Sequence, residues 1–315
     1  MIDFRYHLIS LIAVILALAL GIVAGSGFIG GPLLNRLERE VDDLRESNDE
    51  RLARIAELEG DIDQSETFAR LVGDYLVGGA LEDSRVVVFQ FDDSDGDLVD
   101  GVKRALLDAG AEISSEITLS QKFALSTQPT VDELALILGS VETRPETLRA
   151  ETAAILGDRS ASAAVETQGD QPSSGAAAER LAALLDSLES AGFVGVEMPG
   201  DGPAVPPDAS FVVIGGDETA GEYEPGSFTV GLVEALADRG APAVVAESRT
   251  SSWELVVAIR QDVEARGLAT TVDNAETTIG RIATVLGLAQ AQNGRIGHFG
   301  FGTGRTAVIP APSNP

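Results

Sequence analysis

The sequence predicts an α/β protein with an N-terminal transmembrane helix and a coiled coil, followed by a mainly parallel, layered α/β body in one bilobed domain or two similar lobes. Three observations predict it. From Leu8 to Gly31 the chain carries no formal charge, and a helix needs only about 20 such residues to cross hydrocarbon. A seven-residue apolar period follows, the spacing that brings one helix face against a partner. From Arg85 onward short β-rich runs alternate with amphipathic stretches, a pattern that favours parallel strands covered by helices.

The anchor is read over residues 1–31, with the lipid bilayer as partner of residues 8–31. Asp3, Arg5 and the terminal amine are the charges that precede the apolar run, a slightly positive flank that places the N-terminus in the cytoplasm and the remainder outside it. A cleaved signal peptide is the rival reading. Its apolar core is typically about 7 to 15 residues, shorter than this one, and Val23-Ala24-Gly25 is a passable cleavage site. Within the run Ala13, Ala17, Gly21 and Gly25 recur every fourth residue, so two helix backbones could approach closely along that face. The plain alternative is that small residues are common in membrane helices.

The coiled coil is read over residues 32–73, after Gly30, Gly31 and Pro32 break the first helix. Leu34, Val41, Asn48, Ile55, Ile62 and Ala69 occupy one heptad position, and Leu37, Leu44, Arg51, Leu58, Ser65 and Val72 the other. Arg51 and Ser65 are imperfect. Asn48 stands where a buried amide lowers stability but fixes register, commonly in a parallel dimer. A homodimer or higher homo-oligomer is therefore expected; the alternative is a long helix packed on its own body.

The body opens with a strand at Arg85–Phe91, a helix over about Asp97–Ala109 and a strand at Ala111–Leu119. A helix over about Val131–Leu156 completes a first lobe, 78–157. Residues 158–175, rich in Ser, Ala, Gly and Gln, read as a flexible linker. The second lobe, 176–303, holds helices at Ala176–Ala191, Phe228–Ala237 and Glu276–Ala291, and strands at Phe193–Met198, Phe211–Ile214 and Ala243–Ala246. Leu255–Ile259 is expected to add a strand. The tail, 304–315, reads as disordered.

Composition bounds the function. The 315 residues suit about two domains, and 44% hydrophobic content excludes disorder throughout. Lys and Arg total 22 against 50 Asp and Glu, a net charge of -28, so nucleic acid is a poor partner. Such acidity suits cations or basic partners, although a solvated surface is its ordinary meaning. The absence of Cys removes disulfides, thiolate nucleophiles and Cys-based metal sites.

No constellation of residues marks an enzyme, and none marks a cofactor site. Asp93, Asp95 and Asp97, in the loop Asp92–Asp97, could converge on a hard cation, but Phe91 and the missing distal Glu break the EF-hand spacing. An acidic loop capping the next helix is the ordinary explanation. Phe211–Asp217 is a strand running into Gly215-Gly216, which could admit a phosphate or make a tight turn. His298, in Gly297-His298-Phe299-Gly300-Phe301-Gly302, is the sole imidazole expected outside the membrane and the one soft-metal candidate.

Four stretches carry a resemblance: Arg5 and His7 before LISLIAVILALALGIVAGSGF, the coiled coil starting at Leu33-Leu34, the strand Val86-Val87-Val88-Phe89, and Gly297-His298-Phe299-Gly300. Together they resemble the MctB family, actinobacterial envelope proteins of copper transport. The likeness spans nearly the whole chain and is most specific at the N-terminus. It implies copper homeostasis or efflux at the cell envelope, with an oligomeric pore as one form of that role. Residue chemistry does not add to it. Cu(I) prefers sulfur and Cu(II) imidazole, whereas the chain offers no Cys, Met1, Met198 and two His. Copper is therefore implied by the resemblance alone. A second reading is a non-catalytic dimeric scaffold that recruits envelope or division partners.

Overall fold

The computed structural model describes residues 4–28, 30–165, 175–216 and 225–311. Two units divide the chain, Met1–Ser65 and Glu66–Pro315.

In the first unit, α1 (Phe4–Phe28) is apolar all round. Residues Phe4–Gly25 form the one described helix long and apolar enough to cross a membrane, with a mean hydropathy of 2.8, and a helix with no polar face has no aqueous side to turn outward. The next helix, α2 (Gly30–Val77), contains the Gly-Gly-Pro run; residue 29 lies outside the described residues. Along the part of α2 in this unit, Leu37, Val41, Leu44, Ile55, Leu58 and Ile62 are exposed. The ion pairs Arg36–Glu40, Arg45–Asp42 and Arg54–Glu57 lie on solvated surface, where each contributes at most a few tenths of a kcal/mol.

The body of the second unit is built on one seven-stranded sheet, ordered β3-β2-β1-β4-β5-β6-β7. Its strands are β1 (Arg85–Phe91), β2 (Glu112–Leu119), β3 (Val194–Glu197), β4 (Ser210–Gly215), β5 (Ala243–Glu247), β6 (Thr270–Val272) and β7 (His298–Phe299). All neighbours are parallel except β2 and β3. The two expected lobes share this sheet, because β1 pairs directly with β4 from Val86↔Ser210 to Gln90↔Ile214.

Alternate side chains feed two cores, as the two-residue strand period requires. Val87, Phe89, Phe211, Val213 and Val245 pack on one face against α4 (Gln128–Leu138), α5 (Pro145–Val165), α6 (Ala176–Ser190), α7 (Pro225–Asp238) and α8 (Leu255–Gln261). Val86, Val88, Val212, Ile214 and Val244 pack on the other against α3 (Gly96–Asp108) and α9 (Thr278–Gln292). Burial on both faces explains why β1 reads as a nearly unbroken apolar run.

Three readings need correction. The single helix expected over Val131–Leu156 is two, since Gly139 ends α4 in the left-handed region at φ 67° and Pro145 opens α5. That second helix runs on to Val165, into the stretch read as a linker. Its Gly, Ser and Ala are there for close packing: a Cβ on Gly157 would lie 2.6 Å from the Leu232 carbonyl oxygen of α7, and Ser160, Ala161 and Ala164 are buried. Residues 166–174 of that stretch lie outside the described residues. Finally, Leu255–Ile259 is helical, not a strand, because the Glu247 carboxylate accepts the Leu255 and Val256 N–H groups at 3.0 and 2.9 Å and so caps a helix there. In the tail, Ala307 bridges to Phe299, and Ala311 accepts a hydrogen bond from Gln290; residues 312–315 lie outside the described part.

Candidate functional site

In an open parallel sheet, ligands usually sit beyond the carboxyl ends of the strands, where the strand order reverses. Here that point lies between β1 and β4, and it brings together the acidic loop and the glycine turn. Ser94 closes the gap. Its hydroxyl accepts from Phe91 N at 3.2 Å and donates to Ile214 O at 3.4 Å. The three candidate cation ligands face separate tasks. Asp93 accepts from the Gln121 amide, Asp95 caps α3 by accepting from Asp97 N and Leu98 N at 2.8 and 3.4 Å, and Asp97 is exposed in the first helical turn. Both helix-end positions are favourable for negative charge without any metal. Among the described residues, no three His, Asp or Glu side chains come close enough to hold an ion.

The glycine turn is filled from inside. A Cβ on Gly215 would stand 2.1 Å from Leu255 Cδ1, and one on Gly216, at φ +112°, would stand 2.8 Å from Ser248 N. These glycines admit α8 and the end of β5. Asp217 lies outside the described residues. Beside them Glu247 is 4% exposed. Burial pushes its carboxyl above the usual range, against the pull of its bonds from Val256 N, the Ser251 hydroxyl and Leu255 N.

His298 is placed by β7 in a buried clasp. Its Nδ1 lies 2.9 Å from Thr271 Oγ1. Burial first, then the charges of Arg260 and Arg266, lower its pKa, so the ring is held neutral. Around it, Arg260 pairs with Asp273 at 2.5 Å and donates to Thr271 Oγ1 at 2.9 Å and to the Phe299 carbonyl at 2.7 Å. Asp273 in turn accepts from Phe301 N and Gly302 N at 2.7 and 2.8 Å. The late glycine run now has a reason: a Cβ on Gly300, at φ +120°, would fall 2.1 Å from Asp273 Oδ1. Sequence reading singled out His298 but missed Arg260, Asp273 and Glu247. The Gly-x-x-Gly-x-Gly spacing was the available signal, since it marks backbone that something approaches closely.

The oligomerisation candidates stand open in the single chain. Nothing lies within 4 Å of a Cβ built on Gly21 or Gly25, and Leu37, Leu44, Asn48, Ile55 and Leu58 are exposed.

Against this geometry, the family model described as "Copper transport outer membrane protein, MctB" matches residues 1–310. The chain belongs to the MctB family. Its similar relatives include the copper transporter MctB of Mycobacterium tuberculosis (strain ATCC 25618 / H37Rv), 29% identical over 319 residues, which cover 98% of this chain and 99% of that one. The copper transporter MctB of Mycobacterium leprae (strain TN) is also 29% identical, over 321 residues and the same shares. The MctB name speaks of transport, not catalysis, and of an outer membrane. In this chain the described membrane-competent element is the helix α1. The longest described strand has eight residues, in β2, short of the roughly 9 to 11 that cross a bilayer in a barrel, and helices cover both sheet faces.

Proposed function

We propose that the chain is a single-pass, membrane-anchored envelope protein acting in copper homeostasis or efflux. The family match across residues 1–310 carries the reading, supported by relatives named copper transporters over nearly their whole length. Its N-terminus is cytoplasmic and its body extracytoplasmic, which Arg5 ahead of the apolar helix favours. One helix encloses no channel, so a pore requires several chains. The small-residue face with Gly21 and Gly25, and the stripe of Leu37, Leu44, Ile55 and Leu58, would join them.

The exposed stripe on α2 also favours a second reading, a dimeric scaffold for envelope or division partners. A deletion strain separates the two. Under the copper reading it accumulates copper and becomes copper-sensitive, and the intact gene restores both. Unchanged copper content and tolerance would reject transport and leave the scaffold, which fails in turn if light scattering finds the full chain monomeric in detergent micelles.

A further inference from the structure

One cleft on the described surface runs against the charge of the whole chain. Within the body, α3, α9 and the last turns of α2 border an open cleft of about 310 Å³ whose lining includes Arg70, Arg104 and Arg281, with Asp108 as the one acidic side chain among the described residues that line it. The chain has only 22 Lys and Arg against 50 Asp and Glu, so three guanidinium groups around one carboxylate invert the prevailing sign. None of the three forms an ion pair among the described residues. Arg70 bonds to the Thr67 hydroxyl at 3.2 Å, Arg104 to the Asp100 carbonyl at 3.1 Å, and Arg281 to the Glu276 carbonyl at 3.0 Å. The described side-chain bonds of all three thus go to neutral acceptors.

Arg281 is set in place by the neighbouring helix. Gly101 interrupts α3, where glycine weakens a helix relative to alanine. A Cβ there would lie 2.4 Å from Arg281 Cζ and Nε and 2.5 Å from Nη2. The glycine thus lets a guanidinium lie against the α3 backbone, and Arg281 Nε is buried with no hydrogen-bond partner. A buried donor left without an acceptor is unfavourable in the empty protein. Glu66, whose carboxylate accepts from Thr278 N at 3.2 Å, forms no ion pair with Arg281 among the described residues.

We propose that this cavity binds a phosphate-bearing ligand, either a soluble phosphate compound or the headgroup of an anionic phospholipid. Phosphate suits the site better than carboxylate, because three guanidinium groups offer more donors than two carboxylate oxygens accept, and guanidinium matches phosphate oxygens in paired, charge-assisted bonds. The inference is independent of the copper reading.

The test uses the full chain in uncharged detergent micelles and calorimetric titration with inorganic phosphate, dihexanoylphosphatidylglycerol and dihexanoylphosphatidylcholine. At least one of the first two should bind. Binding of phosphatidylglycerol but not phosphatidylcholine, and more tightly than phosphate, assigns a lipid headgroup; binding of phosphate at least as tightly assigns a soluble ligand. Arg70 and Arg104 are exposed, so the double variant Arg70→Gln/Arg104→Gln should melt like the parent while binding about tenfold more weakly or worse, each lost charged bond amounting to roughly a factor of ten. Gly101→Ala, which displaces Arg281, should weaken binding independently. Failure of both anionic probes to bind at millimolar concentration, or unchanged affinity in the double variant, overturns the proposal.

Discussion

The N-terminal helices and the α/β body use the same apolar residues and dispose of them in opposite ways. In α1, Leu11, Leu16 and Leu20 are 60%, 62% and 70% exposed, whereas in the body Phe89, Phe211 and Val213 are at 0%. The body buries its apolar surface in itself, so its stability is a property of one chain. In the first unit the same residue types lie exposed: α1 has the length and hydropathy to enter hydrocarbon, and a second helix is the partner proposed for the stripe on α2. A substitution should therefore change partitioning in one region and melting in the other, and each prediction below asks for that separation.

The largest effect is expected in α1. Replacing Ile12 and Leu16 together with Arg places two charges near the middle of the span, at about 2.5 to 3.5 kcal/mol each, or roughly 5 to 7 kcal/mol in sum. The protein should leave the carbonate-resistant membrane fraction while the melting of the body stays where it was. Full retention in the membrane would show that α1 is not what holds the chain there.

A smaller but still severe effect is expected in the body from Arg260→Met. The change leaves Asp273 in place with its charge partner gone, in a clasp where the Arg260 side chain is 4% exposed. Breaking a buried pair from one side costs about 3 to 5 kcal/mol. Chemical denaturation followed by near-ultraviolet circular dichroism should report that loss, with membrane partitioning unchanged. A loss under about 1 kcal/mol, the scale of an exposed pair, would mean that the clasp is wetter than its geometry indicates.

The same contrast explains what was legible in the sequence. The apolar helix and the strand Arg85–Phe91 announce themselves because their burial or membrane exposure is set by local composition. The run at Leu255–Ile259 has strand-like residues, yet a carboxylate eight positions earlier turns it into a helix. Small residues in 158–165 look like a linker until Ser160, Ala161 and Ala164 are seen buried along α5. The strands Thr270–Val272 and His298–Phe299 have three and two residues, too few for any periodicity to show. Of the candidate site residues, Asp95 was legible as a helix cap, since its role lies within three residues of itself. His298 could be singled out but not interpreted, because Thr271, Arg260 and Asp273 reach it only through the sheet.

That clasp supports the smallest and most specific prediction. His298 is buried, and its ring is engaged by Thr271 and by the Arg266 backbone. Burial, followed by the positive charges of Arg260 and Arg266, lowers its pKa from the ordinary 6.5. A histidine whose pKa is lower when folded takes up its proton preferentially in the unfolded chain. The stability it contributes is therefore complete above about pH 6.5 and is lost as pH falls below that value toward the folded pKa. Carboxylates with ordinary values near 4 add their own losses only at lower pH, so the window to read lies between about pH 6.5 and 5. Relative to His298→Gln, which cannot titrate, the wild-type protein should lose stability across that window, while Glu247, raised by burial, acts on both profiles alike. Copper(II) should not shift the melting of wild type relative to the variant, because the imidazole is 5% exposed and its Nδ1 is already engaged by Thr271. A parallel pH profile in the two proteins, or copper protection that vanishes with His298, would move this residue out of the body's self-contained interior and into the class of surfaces that wait for an outside partner.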